Sequence, residues 1–319
     1  MAASCAAEAD APRTRRYDRR LMTNAERFAA VVPDPSALER LATGAVFTEG
    51  PVYLPEERCV LFSDIPSDRI LRWSEAGGLS IFREPSGYAN GATRDREGRV
   101  VHCEHGTRRV SRTEPDGTVT TLADRYGGGR LNSPNDAVVT PDGAIWFTDP
   151  PYGIASDVEG HKADSEQEGN NVFRLDPASG ALEILTGSME EPNGLAFSPD
   201  PSLLYIADSS LADGRGANHQ IMVFDVVDGR RIANGRVFAV IDPGVPDGIR
   251  VDELGNVLTS AEDGVHVIAP DGTELGRIPV PELVANLAFG GDDGRTLYIT
   301  ATTSLYRVRL GVRDAHVLR

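Results

Sequence analysis

A unit with a shared pattern recurs six times along the chain, and this repeat constrains the fold more than any other feature of the sequence. Each unit opens on a carboxylate or amide residue, followed by a small residue or its equivalent, a short apolar run, a turn and a second apolar run. The six opening residues are Glu49, Asn90, Asn135, Asn193, Asp247 and Asn286. They lie 41, 45, 58, 54 and 39 residues apart, which is the length of a four-stranded blade with variable loops. Six units therefore predict six blades.

Turn signals and further apolar runs complete four strands in most units. DREG at 95–98, PDG at 141–143 and DELG at 252–255 lie in mid-unit, where a hairpin has to reverse. A third run follows every hairpin, and a fourth run follows in five units but not in the last. We expect the segment near 38–47 to supply the missing strand, because this closes the ring and removes an open sheet edge. The prediction is an all-β, six-bladed β-propeller with four-stranded blades, in which an N-terminal strand closes the last blade.

The region before the propeller is expected to be an arm. We place a single propeller domain at residues 37–319 and a partly disordered or helical arm at residues 1–36. Helical periodicity is weak and confined to residues 23–41, so little helix is expected. The arm contains an arginine cluster, which suits either an interaction arm or a loosely ordered terminus. Its members are Arg13, Arg15, Arg16, Arg19 and Arg20.

Charge and composition exclude several classes of partner. The formal net charge is −16, which repels a polyanion, so no nucleic acid is expected. No segment approaches the roughly 20 apolar residues of a membrane helix, and the first ten residues carry acids where a signal peptide needs a basic start. The three cysteines, Cys5, Cys59 and Cys103, form no CxxC motif, which fits a reducing compartment. We therefore predict a cytoplasmic protein without membrane contact.

The opening residues of the six units are candidate metal ligands. The first strand of each propeller blade lines the central tunnel, so these residues are expected to form a ring at one face. Asn and Asp before Gly are also ordinary turn residues, but six aligned positions that include Glu49 favour a binding ring. Carboxylate and amide oxygens suit hard cations. A divalent metal ion is predicted, with Ca²⁺ first and Mg²⁺, Mn²⁺ or Zn²⁺ as alternatives.

The end of each second strand returns to the same face as the ring. Acidic residues stand there in four units and are interpreted either as acceptors that orient the ring amides or as bulge and turn residues. They are Asp64, Glu104, Asp149 and Asp208. The same topology places His105 and Tyr152 within reach of a substrate. Two long loops on this face, 150–171 and 209–219, are interpreted as lids or as mobile surface.

These segments together resemble the SMP-30/gluconolactonase family of six-bladed propeller metalloenzymes, and its bacterial gluconolactonases in particular. The matching pieces include NGATRDREGRVVHCEHGTRRVSR, LNSPNDAVVTPDGAIWFTDPPYG, EPNGLAFSPD and VPDGIRVDELGNV, and the resemblance covers about residues 38–310. It implies metal ligation by Glu49, Asn135, Asn193 and Asp247. Substrate contacts are assigned to Asn90, His105, Asn132 and Tyr152. Some animal members carry an arginine where this chain has Ser133, so their sugar contacts do not transfer.

The resemblance implies a metal-dependent lactonase. The metal polarises the lactone carbonyl and stabilises the oxyanion, while Asp247 activates water as the general base. The expected partner is a small-molecule lactone or ester, and the expected assembly is a monomer or homodimer. Two alternatives keep the fold and change the function: a phosphotriesterase or fluorophosphatase, and a non-catalytic ligand-binding propeller with structural calcium.

Overall fold

The strands form six four-stranded antiparallel sheets, arranged as the blades of a β-propeller, as predicted. The computed structural model describes residues 22–212 and 214–316. Blade 1 consists of β2 (Thr48–Leu54), β3 (Cys59–Asp64), β4 (Arg69–Ser74) and β5 (Gly78–Arg83). Blade 2 consists of β6 (Ala89–Arg94), β7 (Val100–Glu104), β8 (Arg109–Thr113) and β9 (Val119–Ala123). Blade 3 consists of β12 (Ala137–Val139), β13 (Ile145–Asp149), β14 (Asn171–Asp176) and β15 (Ala181–Thr186).

The second half of the chain repeats this arrangement. Blade 4 consists of β16 (Pro192–Phe197), β17 (Leu203–Asp208), β18 (Gln220–Val227) and β19 (Arg231–Val240). Blade 5 consists of β20 (Ile249–Val251), β21 (Val257–Ala261), β22 (Gly264–Ile268) and β23 (Glu274–Pro279). Blade 6 consists of β24 (Val284–Gly290), β25 (Thr296–Ala301), β26 (Ser304–Arg309) and β1 (Glu39–Thr43). A small hairpin of β10 (Arg125–Tyr126) and β11 (Gly129–Arg130) lies between blades 2 and 3, and a short helix α2 (Tyr152–Ala155) follows β13.

The N-terminal strand closes the ring, which confirms the prediction for the last blade. Strand β1 pairs antiparallel with β26, with Glu39 opposite Arg307, and the two side chains form an ion pair at 2.8 Å. Strand β1 lies inside the segment proposed for this place. Strands from the two ends of the described chain thus share one sheet, and the outer edge of β26 is covered.

The hydrophobic core lies between neighbouring blades. Strand β3 is buried along its whole length, whereas β5 at the outer edge of the same blade is largely exposed, so burial decreases from the inner strands to the outer edge of the blade. Between blades 3 and 4, Trp146 packs edge-on against Phe197 with ring centroids 5.1 Å apart. Because the inner strands are buried between neighbouring blades, their sequences contain continuous apolar runs.

The turn signals lie where the hairpins reverse. In blade 2 the Gly98 N–H donates to the Asp95 carbonyl, and Gly98 has φ of 82°. In blade 3 Gly143 makes the same bond to Thr140 with φ of 88°. Glycine suits both positions because a side chain is strained at positive φ.

Helix α1 (Asn24–Val31) occupies only the first part of the weakly periodic stretch 23–41. Thr23 caps it in a capping box with Glu26, and Val31 and Phe28 pack against the core of blades 5 and 6. Residues 1–21, which carry the arginine cluster of the predicted arm, lie outside the described residues. Among the helices that are described, none is long and apolar enough to span a membrane.

Neighbouring inner strands approach each other so closely that the position after a ring residue has little room for a side chain. The Gly91 N–H donates to the Asn135 carbonyl at 2.8 Å, and the Gly194 N–H donates to the Asp247 carbonyl at 3.1 Å. A Cβ atom on Gly194 would lie 2.1 Å from the Asp247 carbonyl oxygen. The glycine of the repeat therefore reflects contact between blades.

A methyl group at this contact should destabilise the propeller. We expect Gly194→Ala to lower the free energy of unfolding by about 1 to 3 kcal/mol or more, since the added atom meets backbone that cannot rotate away. Gly169→Ala is the matched control, because a Cβ there comes no closer than 3.7 Å to its nearest neighbour. Thermal melts of both variants test this, and equal melting temperatures would contradict the packing argument.

Candidate active site

The tunnel end of the propeller brings the six ring residues together as the repeat predicts. Five of them are buried and Asp247 is partly exposed. The Asn286 amide donates to Glu49 Oε2 at 2.9 Å, and the Asn193 side chain hydrogen-bonds to the Asp247 carboxylate. Carboxylates and amides from four of the six blades therefore interact as neighbours at the tunnel mouth.

Burial and nearby negative charge disfavour the ionised forms of both carboxylates of the ring. Burial raises the pKa of Glu49 to about 8, and the nearby charges of Asp136 and Glu159 add to the shift. Burial also raises the pKa of Asp247 well above its ordinary value, with the charge of Glu49 as the next cause. Without a compensating cation, both groups favour the protonated form.

Asp136 and Arg250 are site residues that the sequence reasoning missed. Asp136 is fully buried and follows the ring residue Asn135, in the position that most other blades fill with glycine. Its carboxylate accepts the Ala137 N–H at 2.8 Å and lies 3.6 Å from the Arg250 guanidinium. An acid in the small-residue slot of the repeat was the signal that could have identified Asp136.

Three of the acids at second-strand ends hold the backbone that leads into the ring. Asp64 Oδ1 accepts the N–H groups of residues 46 and 47, and Asp208 accepts those of residues 190 and 191. Asp149 accepts the N–H of residue 132 at 2.8 Å and also that of residue 133. In each case the donors lie three and two positions before Glu49, Asn193 or Asn135. These carboxylates therefore position the ring residues through the main chain.

Glu104 has a different set of partners. Its two oxygens accept from Arg83, Ser111, Thr107 and Arg109. These groups belong to the outer part of blades 1 and 2 and to the turn after β7, so the Glu104 carboxylate joins two blades. In the sequence Glu104 looks equivalent to Asp149, because each ends the second strand of its blade. Their hydrogen-bond partners show that the two residues have different roles.

His105 holds the ring residue Asn90 through a defined pair of contacts. The buried imidazole lies with Nε2 3.1 Å from Asn90 Nδ2 and with Nδ1 3.2 Å from the carbonyl oxygen of Glu159. Burial lowers the pKa of His105 to about 4, so the ring is neutral, with Nδ1 as donor and Nε2 as acceptor. Asn90 Oδ1 is buried and has no hydrogen-bond partner among the described residues. This oxygen is free to accept from a bound molecule.

Asn132 and Ser133 hold the 150–171 loop. The Asn132 side chain donates to Asn170 Oδ1 at 3.3 Å and accepts from Ser165 at 2.6 Å. Ser133 Oγ donates to the Pro150 carbonyl and accepts the Gly153 N–H at 2.9 Å. Both amide atoms of Asn132 are thus engaged with the loop, and its assignment as a substrate contact stays a prediction.

The donor set of the ring fits a hard divalent cation. Glu49 and Asp247 supply two carboxylates, with the charge of Glu49 disfavouring ionised Asp247, and the other two members of the predicted set, Asn135 and Asn193, carry amide oxygens. Within residues 22–212 and 214–316 no group of three or more His, Cys, Asp or Glu side chains is arranged to hold a metal ion. The predicted set contains only two such residues, because its other members are amides.

The fold and the ring define a class of six-bladed propeller with a carboxylate–amide site at the tunnel mouth. The chain belongs to the SMP-30/gluconolactonase/LRE-like family, whose model matches residues 47–303. It is 33% identical over 306 residues to a gluconolactonase of Zymomonas mobilis, covering 89% of this chain and 84% of that protein. It is 31% identical to the pentonolactonase XacC of Haloferax volcanii, covering 79% of this chain and 80% of that one.

A solved structure extends the likeness to three dimensions. A gluconolactonase from Xanthomonas campestris superposes with a TM-score of 0.83 at 38% identity, and the match covers 89% of this chain and 92% of that one. The family resemblance expected from the motifs is therefore confirmed.

Loss of one backbone-holding carboxylate should cost stability. Asp208→Ala leaves the buried Glu191 N–H and the partly buried N–H of residue 190 without their acceptor, so we expect the free energy of unfolding to fall by about 2 to 4 kcal/mol. Asp164→Ala, at an exposed position of the 150–171 loop, is the control and should change little. Thermal melts measure both, and a loss of stability in the control as large as in Asp208→Ala would refute the assignment.

Proposed function

We propose that this protein is a metal-dependent hydrolase that opens a sugar lactone. The observation that carries the proposal is the ring itself: Glu49 and Asp247 lie together with amide side chains at the mouth of the tunnel. Similarity to the Zymomonas mobilis gluconolactonase over most of both chains supports the substrate class. The Haloferax volcanii pentonolactonase, which also matches over most of its length, supports the same type of reaction.

Glu49, Asn135, Asn193 and Asp247 would hold the ion. When bound, a divalent cation such as Ca²⁺ supplies charge that polarises the lactone carbonyl and favours the ionised forms of both carboxylates. Two carboxylates offset its charge, and the amides add neutral oxygen ligands without further repulsion. Asn286 keeps the Glu49 carboxylate in place through its 2.9 Å hydrogen bond.

Asp247 is the residue best placed to act on water. It is the partly exposed member of the ring, while Glu49 is buried and held by Asn286. In its ionised form Asp247 takes a proton from water as the water oxygen bonds to the lactone carbonyl carbon. The ring C–O bond then breaks, and the departing oxygen takes the proton back from Asp247 to give the open hydroxy acid and the ionised carboxylate of Asp247.

Asn90 and His105 supply a binding position for a hydroxyl group. The neutral imidazole accepts from Asn90 Nδ2, which fixes the orientation of the amide. Asn90 Oδ1 is then left as an acceptor for a substrate hydroxyl. A polyhydroxylated lactone has the donors that this position needs, which favours sugar lactones over simple apolar esters.

Substitutions in the ring should separate chemistry from metal binding. We expect Asp247→Asn to weaken Ca²⁺ binding no more than Glu49→Gln does and, at saturating Ca²⁺, to lower kcat on glucono-δ-lactone by at least about 100-fold, because the amide cannot take a proton. Glu49→Gln should weaken Ca²⁺ binding by at least about tenfold, since it removes one of two charged ligands. Calorimetry and a pH-stat assay measure these effects.

The substrate panel decides the function. The wild-type protein should turn over glucono-δ-lactone and γ-lactones when loaded with metal and should leave paraoxon intact. Chelation should abolish turnover, and re-addition of Ca²⁺ should restore it. Hydrolysis of paraoxon without any lactone hydrolysis would transfer the proposal to phosphotriesters, and a lack of all turnover would overturn it.

Metal affinity should rise with pH. In the metal-free protein the pKa of Glu49 lies near 8, above its ordinary value of 4.5, so protonated Glu49 stabilises the fold at low pH and this contribution is lost as pH rises through 8. Glu49 would hold a cation in its ionised form, so binding of a cation would release the Glu49 proton. Between pH 6 and 8 the Ca²⁺ affinity should rise, approaching about tenfold per pH unit for each proton released.

Calorimetry in two buffers of different ionisation enthalpy detects this proton release directly. Glu49→Gln is the control, because it should show a smaller pH dependence in addition to weaker binding. An affinity that stays constant between pH 6 and 8 would contradict the linkage.

A further inference from the structure

Two loops flank the ring face, and one side chain crosses from one loop to the other. The loop 150–171 begins with α2, which carries Tyr152, and the loop 209–219 carries Arg215. The Arg215 guanidinium carbon lies 5.7 Å from the centroid of the Tyr152 ring. Arg215 Nε donates to Glu191 Oε1 at 2.5 Å. The Arg215 side chain therefore contacts both the 150–171 loop and the segment that leads into blade 4.

Glu191 places this contact next to the site. It is buried, it lies two positions before the ring residue Asn193, and its N–H is one of the two held by Asp208. Its carbonyl accepts the Ser209 N–H at 3.1 Å, at the start of the second loop. The carboxylate that Arg215 binds is thus on a segment whose backbone is already fixed.

Each loop is also tied to its own base. Ser133 holds the start of the 150–171 loop, and Glu190 Oε2 accepts from Ser210 Oγ and from the Ala217 N–H in the 209–219 loop. These bonds hold each loop separately. The Tyr152–Arg215 contact adds a link between the two.

We propose that Arg215 is a positioning residue that joins the two loops and so fixes the wall of the substrate pocket formed by Tyr152. Arginine suits this role because its planar guanidinium stacks on an aromatic face while its N–H groups pair with a carboxylate. Lysine can form the ion pair but stacks less well. The kinetic part of this proposal rests on the lactonase function proposed above, whereas the structural part does not.

The sequence offers a specific probe of the link. Lys162 is the sole lysine of the chain and lies in the 150–171 loop. The backbone around it is hydrogen-bonded to α2: the His161 N–H donates to Gly153 and the Ala163 N–H donates to Ile154, each at 3.0 Å. A lysine-specific protease needs this segment to leave α2 before it can cleave. Cleavage after Lys162 therefore measures opening next to Tyr152.

The test compares Arg215→Gln, Arg215→Lys and Tyr152→Leu in the full-length protein. Because Arg215→Lys adds a second lysine to the chain, cleavage after Lys162 is followed in every variant by the initial rate at which the fragment that ends at Lys162 forms. Arg215→Gln should raise the rate of cleavage at Lys162 by about tenfold, and Arg215→Lys by less, because it retains the charge. The double variant of Arg215→Gln with Tyr152→Leu should be cleaved no faster than the faster single variant, since both act on one contact. Arg230→Gln, which removes an exposed arginine paired with Glu183, is the matched control and should leave cleavage unchanged.

Kinetics on glucono-δ-lactone supply the second readout. A looser pocket wall should raise KM by about tenfold in Arg215→Gln and change kcat by less than about threefold, with partial recovery of KM in Arg215→Lys. Cleavage of Arg215→Gln at the wild-type rate would overturn the link between the loops. Faster cleavage with unchanged KM would overturn its role in the pocket. If the wild type hydrolyses no lactone, the proposed function fails, and the protease result still decides the link.

Discussion

Backbone contact between the inner strands of neighbouring blades is the constraint on which the rest of the structure depends. The Gly194 N–H reaches the Asp247 carbonyl, and a side chain in its place would collide with that carbonyl. Hydroxyl groups strengthen the same contact: Ser63 of blade 1 donates to the Asn90 carbonyl, and Thr148 of blade 3 donates to the Asn193 carbonyl. Because the main chains meet, the side chains of the ring meet as well.

The ring brings acidic side chains together in a place where burial disfavours their ionised forms. Burial raises the pKa of both Glu49 and Asp247, the charge of Glu49 adds to the shift of Asp247, and the charge of Asp136 adds to both shifts. Arg250 offsets part of this charge from its position 3.6 Å from Asp136. Burial of these acidic groups together disfavours their ionised forms. This unfavourable charge interaction is the physical ground for the cation site proposed above.

The site is positioned from two directions. From within the blades, Asp64, Asp149 and Asp208 bind the backbone just before three ring residues. From above, the loop 150–171 is tied to Asn132 and Ser133, which themselves lie in one of these backbone segments. The loop and the ring therefore share anchoring residues. A substitution in the 150–171 loop is expected to alter the position of Asn135, since the loop and Asn135 depend on the same few hydrogen bonds.

The sequence by itself determined the features that recur with the blade: the number of blades, the carboxylate–amide ring, the hairpin turns and the need for a closing strand. Each recurs from unit to unit along the chain or, for the closing strand, follows from a run missing in the last unit. Only the tertiary structure decided which groups each acidic side chain contacts. Glu104 and Asp149 look alike in the sequence, but packing gives Glu104 two arginine partners and gives Asp149 the backbone before Asn135. Asp136 with Arg250, and Tyr152 with Arg215, meet across blades and loops, and such contacts leave no local pattern because they depend on how distant segments pack.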